Sequence, residues 1–237
     1  MEQQQPILSP QERRLRNRER NRDEMKAAIL DAARAVMREE GVAALNLQEV
    51  ARRLGMRAPS LYEYFPGKMA IYDALFRLGV RLYAERLAQL PKPPASLWQH
   101  LRAALEGYLS FAQESPELYQ LVFERPVPGF VPSEESLRES RRSLALGEEV
   151  LQQDLEQAGI VLSLPLAQAR DLVIAMMHGL AAQHLANEPE LPVGSGRFGS
   201  LIPAAVALFQ ASWDPQFSRR VPETATDSSD PSPHSQE

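Results

Sequence analysis

Residues 47–68 read LQEVARRLGMRAPSLYEYFPGK, and the fold follows from how this stretch divides. In its first half Leu47, Val50, Ala51 and Leu54 recur at i, i+3, i+4 and i+7, one apolar stripe along a short helix. Asn46 stands before the stripe as an N-cap and Glu49 follows three residues on. That is a capping-box arrangement, in which each side chain satisfies a backbone N–H at the helix start. Gly55 comes where the chain must turn sharply and a residue free to take positive φ is wanted. Pro59 falls at the start of a second helix, where its missing N–H is no loss, so that helix is expected over residues 58–64. It is too short to be a core element. It presents Arg57, Ser60, Tyr62, Glu63 and Tyr64 around an inward Leu61 and Phe65. A helix with such a polar outer face suits a DNA major groove about 12 Å wide. A solvated helical hairpin with no nucleic-acid role carries the same local pattern.

Composition sets the surroundings of this pair. The 237 residues suffice for one or two domains with a real core. The only threonines are Thr224 and Thr226, leucine and alanine dominate, and stripes of helical period recur, so an all-α fold is expected. There is no cysteine, which excludes disulfides and thiolate chemistry. No apolar run reaches the length of a membrane span and no signal-peptide core is present, so a cytoplasmic protein without a membrane partner is expected. The net charge of −5 is unevenly divided: residues 1–77 hold 14 Lys/Arg against 11 Asp/Glu, the rest 12 against 20. Positive charge gathers at the end that carries the helix pair.

Working outward, residues 1–22 read as a flexible basic arm. Its six arginines between Arg13 and Arg22 either extend the first helix or reach into an adjacent minor groove. Residues 23–77 read as a three-helix, helix-turn-helix domain whose first helix, 23–40, buries Met25, Ile29, Ala32, Ala33, Val36 and Met37. Residues 78–213 read as a larger helical domain, giving about nine helices in all, and residues 214–237 as a disordered tail. The helix opened by Lys68 runs from one domain into the other and is the obvious lever between them. A helix over 95–115 carries Trp98, Leu101, Leu105 and Tyr108; another over 133–157 turns Leu137, Leu144, Val150, Leu151 and Leu155 inward. Residues 165–186 read as another helix, apolar nearly all round from Leu172 to Ala182, which must be covered on several sides. Residues 198–213 form the last helix.

Several constellations look chemical. Gly194, Gly196 and Gly199 spell GxGxxG, but no strand precedes them and no acid follows at the dinucleotide-binding spacing. His100, His178 and His184 lack a metal-ligand pattern, and no GxSxG elbow places a nucleophile. No cofactor and no enzymatic activity are expected. An effector pocket is the stronger candidate. Trp98, Tyr108, Tyr119, Phe123, Phe130, Met176, Met177 and His178 offer an apolar lining with a few polar tips, the composition of small-molecule sites and equally of an ordinary core.

Ile29-Leu-Asp-Ala-Ala33, Gly41 and the run from Val50 to Lys68 with its Leu-Tyr-x-Tyr-Phe-x-x-Lys ending resemble the N-terminal domain of the tetracycline-repressor (TetR) family of transcriptional regulators. The resemblance implies base contacts at Arg57, Ala58 and Ser60, a base or phosphate contact at Gln48, phosphate contacts at Tyr62, Tyr64 and Lys68, and a cap that touches the backbone at Asn46. Arg57 departs from the family's usual residue at the turn, so it caps poorly and is free to reach a guanine. More softly, PELYQLVF at 116–123, RPVPGF at 125–130 and the His178-Gly179 pair resemble a subgroup whose C-terminal domain carries a His-Gly motif. The family implies that the last two helices pair with their copies in a homodimer. It implies a palindromic double-stranded DNA operator, with half-sites about 34–36 Å apart. It also implies a small-molecule effector, usually acting on a repressor. An activator, a ligandless DNA binder and a helical adaptor are the alternatives.

Overall fold

The computed structural model describes residues 9–91 and 95–214, and every regular element among them is helical. The first helix, α1 (Pro10–Glu40), starts well before the expected Asp23, and residues 10–22 are helix rather than a flexible arm. The cause is local. The Ser9 hydroxyl accepts from the Glu12 N–H, the Glu12 carboxylate accepts from the Ser9 N–H at 2.7 Å, and Pro10 takes the first helical position. Residues 1–8 lie outside the described residues. Further along, Ile29, Ala33, Val36 and Met37 are buried, and Gly41 at φ 93° lets the chain leave the helix.

A 3₁₀ turn over Val42–Ala44 leads to α2 (Leu47–Arg53) and α3 (Ala58–Leu61). The next helix, α4 (Lys68–Ala88), buries Ile71, Tyr72, Leu75, Phe76, Gly79 and Val80. Tyr72 donates to the Val42 carbonyl at 2.6 Å and so pins the turn after α1 to α4; burial pushes its phenol up to about 12.

Beyond the boundary region, whose residues 92–94 are not described, Ser96 and Gln99 form a capping box for α5 (Leu97–Glu114). Pro116 starts α6 (Pro116–Tyr119), which passes into a π-helical turn over Gln120–Glu124 and ends at Arg125 in the left-handed region, φ 51°. The helix α7 (Glu134–Ala158) is capped by Ser133. Across from it, the Asp73 carboxylate of α4 accepts from the Ser133 N–H and from the hydroxyls of Ser133 and Ser136, tying α4 to the start of α7. Then come α8 (Leu166–Asn187), α9 (Gly196–Gly199) and α10 (Ile202–Trp213). The core of this half lies where α5 meets α4, α8 and α10, with α7 packed on α4 and α8.

Three expectations are corrected. Leu144 is 40% exposed, because the middle of α7 turns outward. The expected single helix over 198–213 is broken into α9 and α10. The last helix begins at Ile202 with Pro203 in its first turn, where a proline needs no intrahelical donor. On α8, Leu172 is 52% exposed and Gly179 has nothing within 4 Å of where a Cβ would stand, so its outer face is uncovered. Residues 215–237, the expected tail, lie outside the described residues. No helix among the described residues is long and apolar enough to cross a membrane.

Candidate nucleic-acid interface and effector cluster

The helix pair is held from beneath by Val50, Ala51, Leu61 and Phe65, all buried. Asn46 Oδ1 accepts from the Gln48 N–H at 2.9 Å, so the cap on α2 forms as the sequence suggests. The other half of the expected capping box does not. Glu49 takes Arg52 at 2.7 Å and Arg53 at 2.8 Å instead, and Arg53 reaches on to Glu39 of α1. Two guanidiniums outcompete a backbone amide for one carboxylate, because they bring two full positive charges and three N–H donors, Arg52 as a two-bond fork, where the amide offers one neutral donor. They hold the Glu49 carboxyl down to about 2. The result is a clamp between α1 and α2.

The second helix is shorter than the expected 58–64. After Leu61 the amides of Tyr62, Glu63 and Tyr64 bond to carbonyls three residues back, which tightens the chain into a turn ahead of Pro66. Arg57 stands at the N-cap of α3 without a side-chain capping bond, and its side chain is exposed. Asn46 and Gln48 are also exposed, as is Tyr62 at 57%, a high value for an aromatic ring. Ala58 and Ser60 are half-buried along the same edge. Tyr64 is half-buried against the core, and Lys68 donates to the Ala43 carbonyl at 3.2 Å with its ammonium over the Tyr72 ring. These last two therefore also serve the protein's own packing. At the far end of the turn, Arg22 of α1 donates to the Glu63 carbonyl at 3.1 Å.

In the C-terminal half the structure brings together Tyr108, Tyr119, Phe123 and His178 of the expected lining. The hydroxyls of Tyr119 and Tyr108 converge on Nδ1 of His178 at 3.0 and 3.4 Å, and the Tyr119 ring stacks on the imidazole. Burial raises both phenols well above their usual value, and the negative charge of Glu124 adds to it. Tyr83 of α4 and Phe111 of α5 complete the cluster, with ring centroids 5.3 to 6.5 Å apart. Neither was singled out from sequence for this site. Tyr83 continues the buried stripe of α4 four residues beyond Gly79, and Phe111 follows Tyr108 by three, so helical period alone could have found both. Met177 is buried and Met176 half-buried on α8. Two candidates are misplaced. Trp98 is ten residues from Tyr108 on α5, about 15 Å along the axis. Phe130 packs on Tyr72 and Phe76, at the other end of α4.

The remaining histidines have separate duties. His100 joins α5 to Asp154 of α7 at 2.7 Å and to the Pro91 carbonyl. His184 meets Gln113 and the Leu191 carbonyl. The glycines of the GxGxxG run are explained by packing and turns: Gly194 and Gly196 take positive φ, and a Cβ on Gly199 would stand 3.3 Å from the His184 ring.

One contact had no signal in the sequence. Glu117 of α6, its side chain 1% exposed, receives Arg34 of α1 at 2.7 Å and lies 3.2 Å from Arg38; Arg34 also donates to Ser115. Residues 83 positions apart thereby link the first helix to the segment carrying Tyr119 and Phe123. Close by, a Cβ on Gly79 would lie 2.7 Å from Val122, so α4 and the π-helical turn cross at near-contact distance.

Comparison with known proteins places this architecture. Residues 29–75 match the family model described as bacterial regulatory proteins, tetR family, and residues 101–198 match the tetracyclin repressor-like C-terminal domain. Over 103 residues, 44% of this chain, the protein is 32% identical to the HTH-type transcriptional activator FasR of Mycolicibacterium smegmatis; that alignment spans about half (47%) of the curated relative's length. Among solved structures, the regulator FadR from Bacillus subtilis in complex with stearoyl-CoA has a TM-score of 0.60 at 18% identity, covering 77% of this chain and 96% of that one. AibR in complex with isovaleryl coenzyme A and operator DNA has a TM-score of 0.59 at 17% identity, covering 77% and 96%. At such identities the structural likenesses speak for the fold alone. With both halves matched in order and the helical architecture shared, the chain belongs to the TetR family of bacterial transcriptional regulators.

Proposed function

We propose that the protein is a homodimeric, ligand-responsive DNA-binding regulator rather than an enzyme. It reads a palindromic operator with the face formed by Asn46, Gln48, Arg57, Ala58, Ser60, Tyr62, Tyr64 and Lys68. The carrying observation is the joint between its two ends: α4 runs from the reading pair to Tyr83, and the buried Glu117 bond fixes α1 to the segment that holds Tyr119 and Phe123. A lipophilic effector that displaces those rings would move both connections at once. It would change operator affinity only by the ratio of its affinities for the two states.

Acyl chains and acyl thioesters are the effector class of first choice. The cluster is apolar with two phenols and an imidazole at its polar edge, and similar folds have been solved with stearoyl-CoA and isovaleryl coenzyme A. The π-helical turn carrying Phe123 is a form of backbone often found at functional sites. Dimerisation would cover the faces left open by Leu172 and Gly179 on α8, by Leu201 just before α10 and by Leu208 on it. Repression relieved by the effector is the first reading of the regulatory sign. The stretch shared with FasR, an activator, favours activation as the second, with the same DNA-binding machinery.

The test selects duplexes from a random pool with the full-length protein, then titrates acyl-CoAs of increasing chain length into the complex. Support would be a palindromic consensus, release by one chain-length class, and a matching rise in melting temperature. Tyr119→Phe and Tyr108→Phe keep the packing and remove the hydroxyls, and should weaken the effector response while sparing effector-free DNA affinity. No enriched duplex would end the DNA reading; release by no acyl-CoA would end the choice of effector.

A further inference from the structure

The N-terminal third of α1 projects past the body it belongs to. Residues 11–24 are all exposed, and the first buried side chain of the helix is Ile29. Within this projection Arg13, Arg14, Arg16, Arg18, Arg20 and Arg22 face a single acid, Glu19, between them. At about 100° per residue the arginines fall on two opposed stripes, Arg14, Arg18 and Arg22 on one and Arg13, Arg16 and Arg20 on the other. The first stripe continues the side of α1 that carries Met25, Ile29, Ala33 and Val36 into the core. Where the core ends, apolar residues are replaced on that side by guanidiniums.

The bond from Arg22 to the Glu63 carbonyl fixes where this stripe points: it leaves the protein along the turn that exposes Tyr62 and Glu63. Arg14 and Arg18 have no acidic partner among the described residues, whereas Arg20 on the opposite stripe pairs with Glu24 at 3.4 Å. The Ser9 capping box fixes the outer end, so the charges ride on a rod about 20 Å long between Pro10 and Arg22. A helix is 10–12 Å across with its side chains. It cannot enter a minor groove about 6 Å wide, which removes one of the two roles open from sequence.

We infer that residues 10–22 form a helical outrigger resting on the phosphate rim beside the base pairs read by α3, with Arg14 and Arg18 as its phosphate contacts. The inference rests on the DNA-binding reading above. The occupant is a duplex because the stripe is continuous with the reading face and carries the charge that complements phosphate. The outrigger positions and strengthens binding without reading sequence.

The experiment uses full-length protein and the duplex selected by the wild type, in a long form with flanks and a short form trimmed to the consensus. Affinity is measured against salt for wild type, R14Q/R18Q and R13Q/R16Q. Glutamine keeps helix propensity, so folding is not at stake. Each phosphate contact contributes about 0.9 to the log–log salt slope, so R14Q/R18Q in a dimer should flatten it by about 3.6 on the long duplex. R13Q/R16Q removes equal charge from the other stripe and should flatten it by less than half as much, and trimming the flanks should erase the difference. Equal slopes for the two variants, or no change in R14Q/R18Q, would overturn the inference while leaving the DNA reading intact. Wild type with no salt-dependent duplex binding would overturn both.

Discussion

Replacing Glu117 with glutamine preserves the shape of the side chain and deletes its charge. Arg34, its side chain 17% exposed, would then keep a guanidinium near the interior with only the Ser115 hydroxyl and an amide to face. Removing one partner of a buried ion pair typically costs about 3–5 kcal/mol. Water can partly reach Arg34, so about 2–3 kcal/mol is expected from this contact. Arg38 is 47% exposed and adds at most about 1 kcal/mol, as surface pairs do. For a chain of this size each kcal/mol lowers the melting temperature by about 2–4 °C, so Glu117→Gln should melt about 4–16 °C below wild type. The double variant with Arg34→Gln should be no worse than the single, because the stranded charge is gone. If the bond also couples the two ends of the molecule, the factor by which an effector changes operator affinity should shrink in Glu117→Gln. A melting temperature within about 1 °C of wild type, together with an unchanged effector response, would refute the reasoning on both counts.

Other outcomes follow from single contacts. Gly79→Ala should destabilise by about 1–2 kcal/mol in thermal melts, because a methyl 2.7 Å from the branched Val122 overpacks a crossing by more than the gain in helix propensity returns. Glu49 has its pKa depressed in the folded state, so its stabilising contribution is present above its ordinary value near 4.5 and is lost as pH falls toward about 2. Glu49→Gln should therefore melt below wild type at neutral pH, and the gap should close across that window. Leu208→Arg, on a face 63% exposed in the protomer, should leave each fold intact but reduce the light-scattering mass from dimer toward monomer.

Much of the reading end was legible because its determinants are local. The stripe Leu47, Val50, Ala51 and Leu54, the Asn46 cap and the placement of Pro59 act within a turn or two of themselves, and the structure keeps them. Of the two alternatives open for the basic stretch, the structure takes the extension of the first helix, and the signal for where it starts lies in the sequence: Ser9-Pro10-Gln11-Glu12 is a capping box with proline at the first position, masked by the polar composition around it. At Glu49 the sequence pattern misleads, because what makes a capping box says nothing of two arginines close enough to compete. The contacts of Glu117 with α1 and of Asp73 with Ser133 join residues sixty or more positions apart, and no spacing rule reaches that far. Composition alone groups Trp98 and Phe130 with the cluster, because it does not register that Trp98 lies turns away on its helix and that Phe130 packs against the other end of α4.

The most direct test is the affinity of full-length protein for its selected duplex after Gln48→Ala, Arg57→Gln and Tyr62→Ala are combined. All three side chains are exposed, so the variant should melt with the wild type. At about 1–3 kcal/mol per lost base or phosphate contact, duplex affinity should fall at least about 100-fold. A folded triple variant that binds the duplex as tightly as wild type would contradict the assignment of this face to DNA.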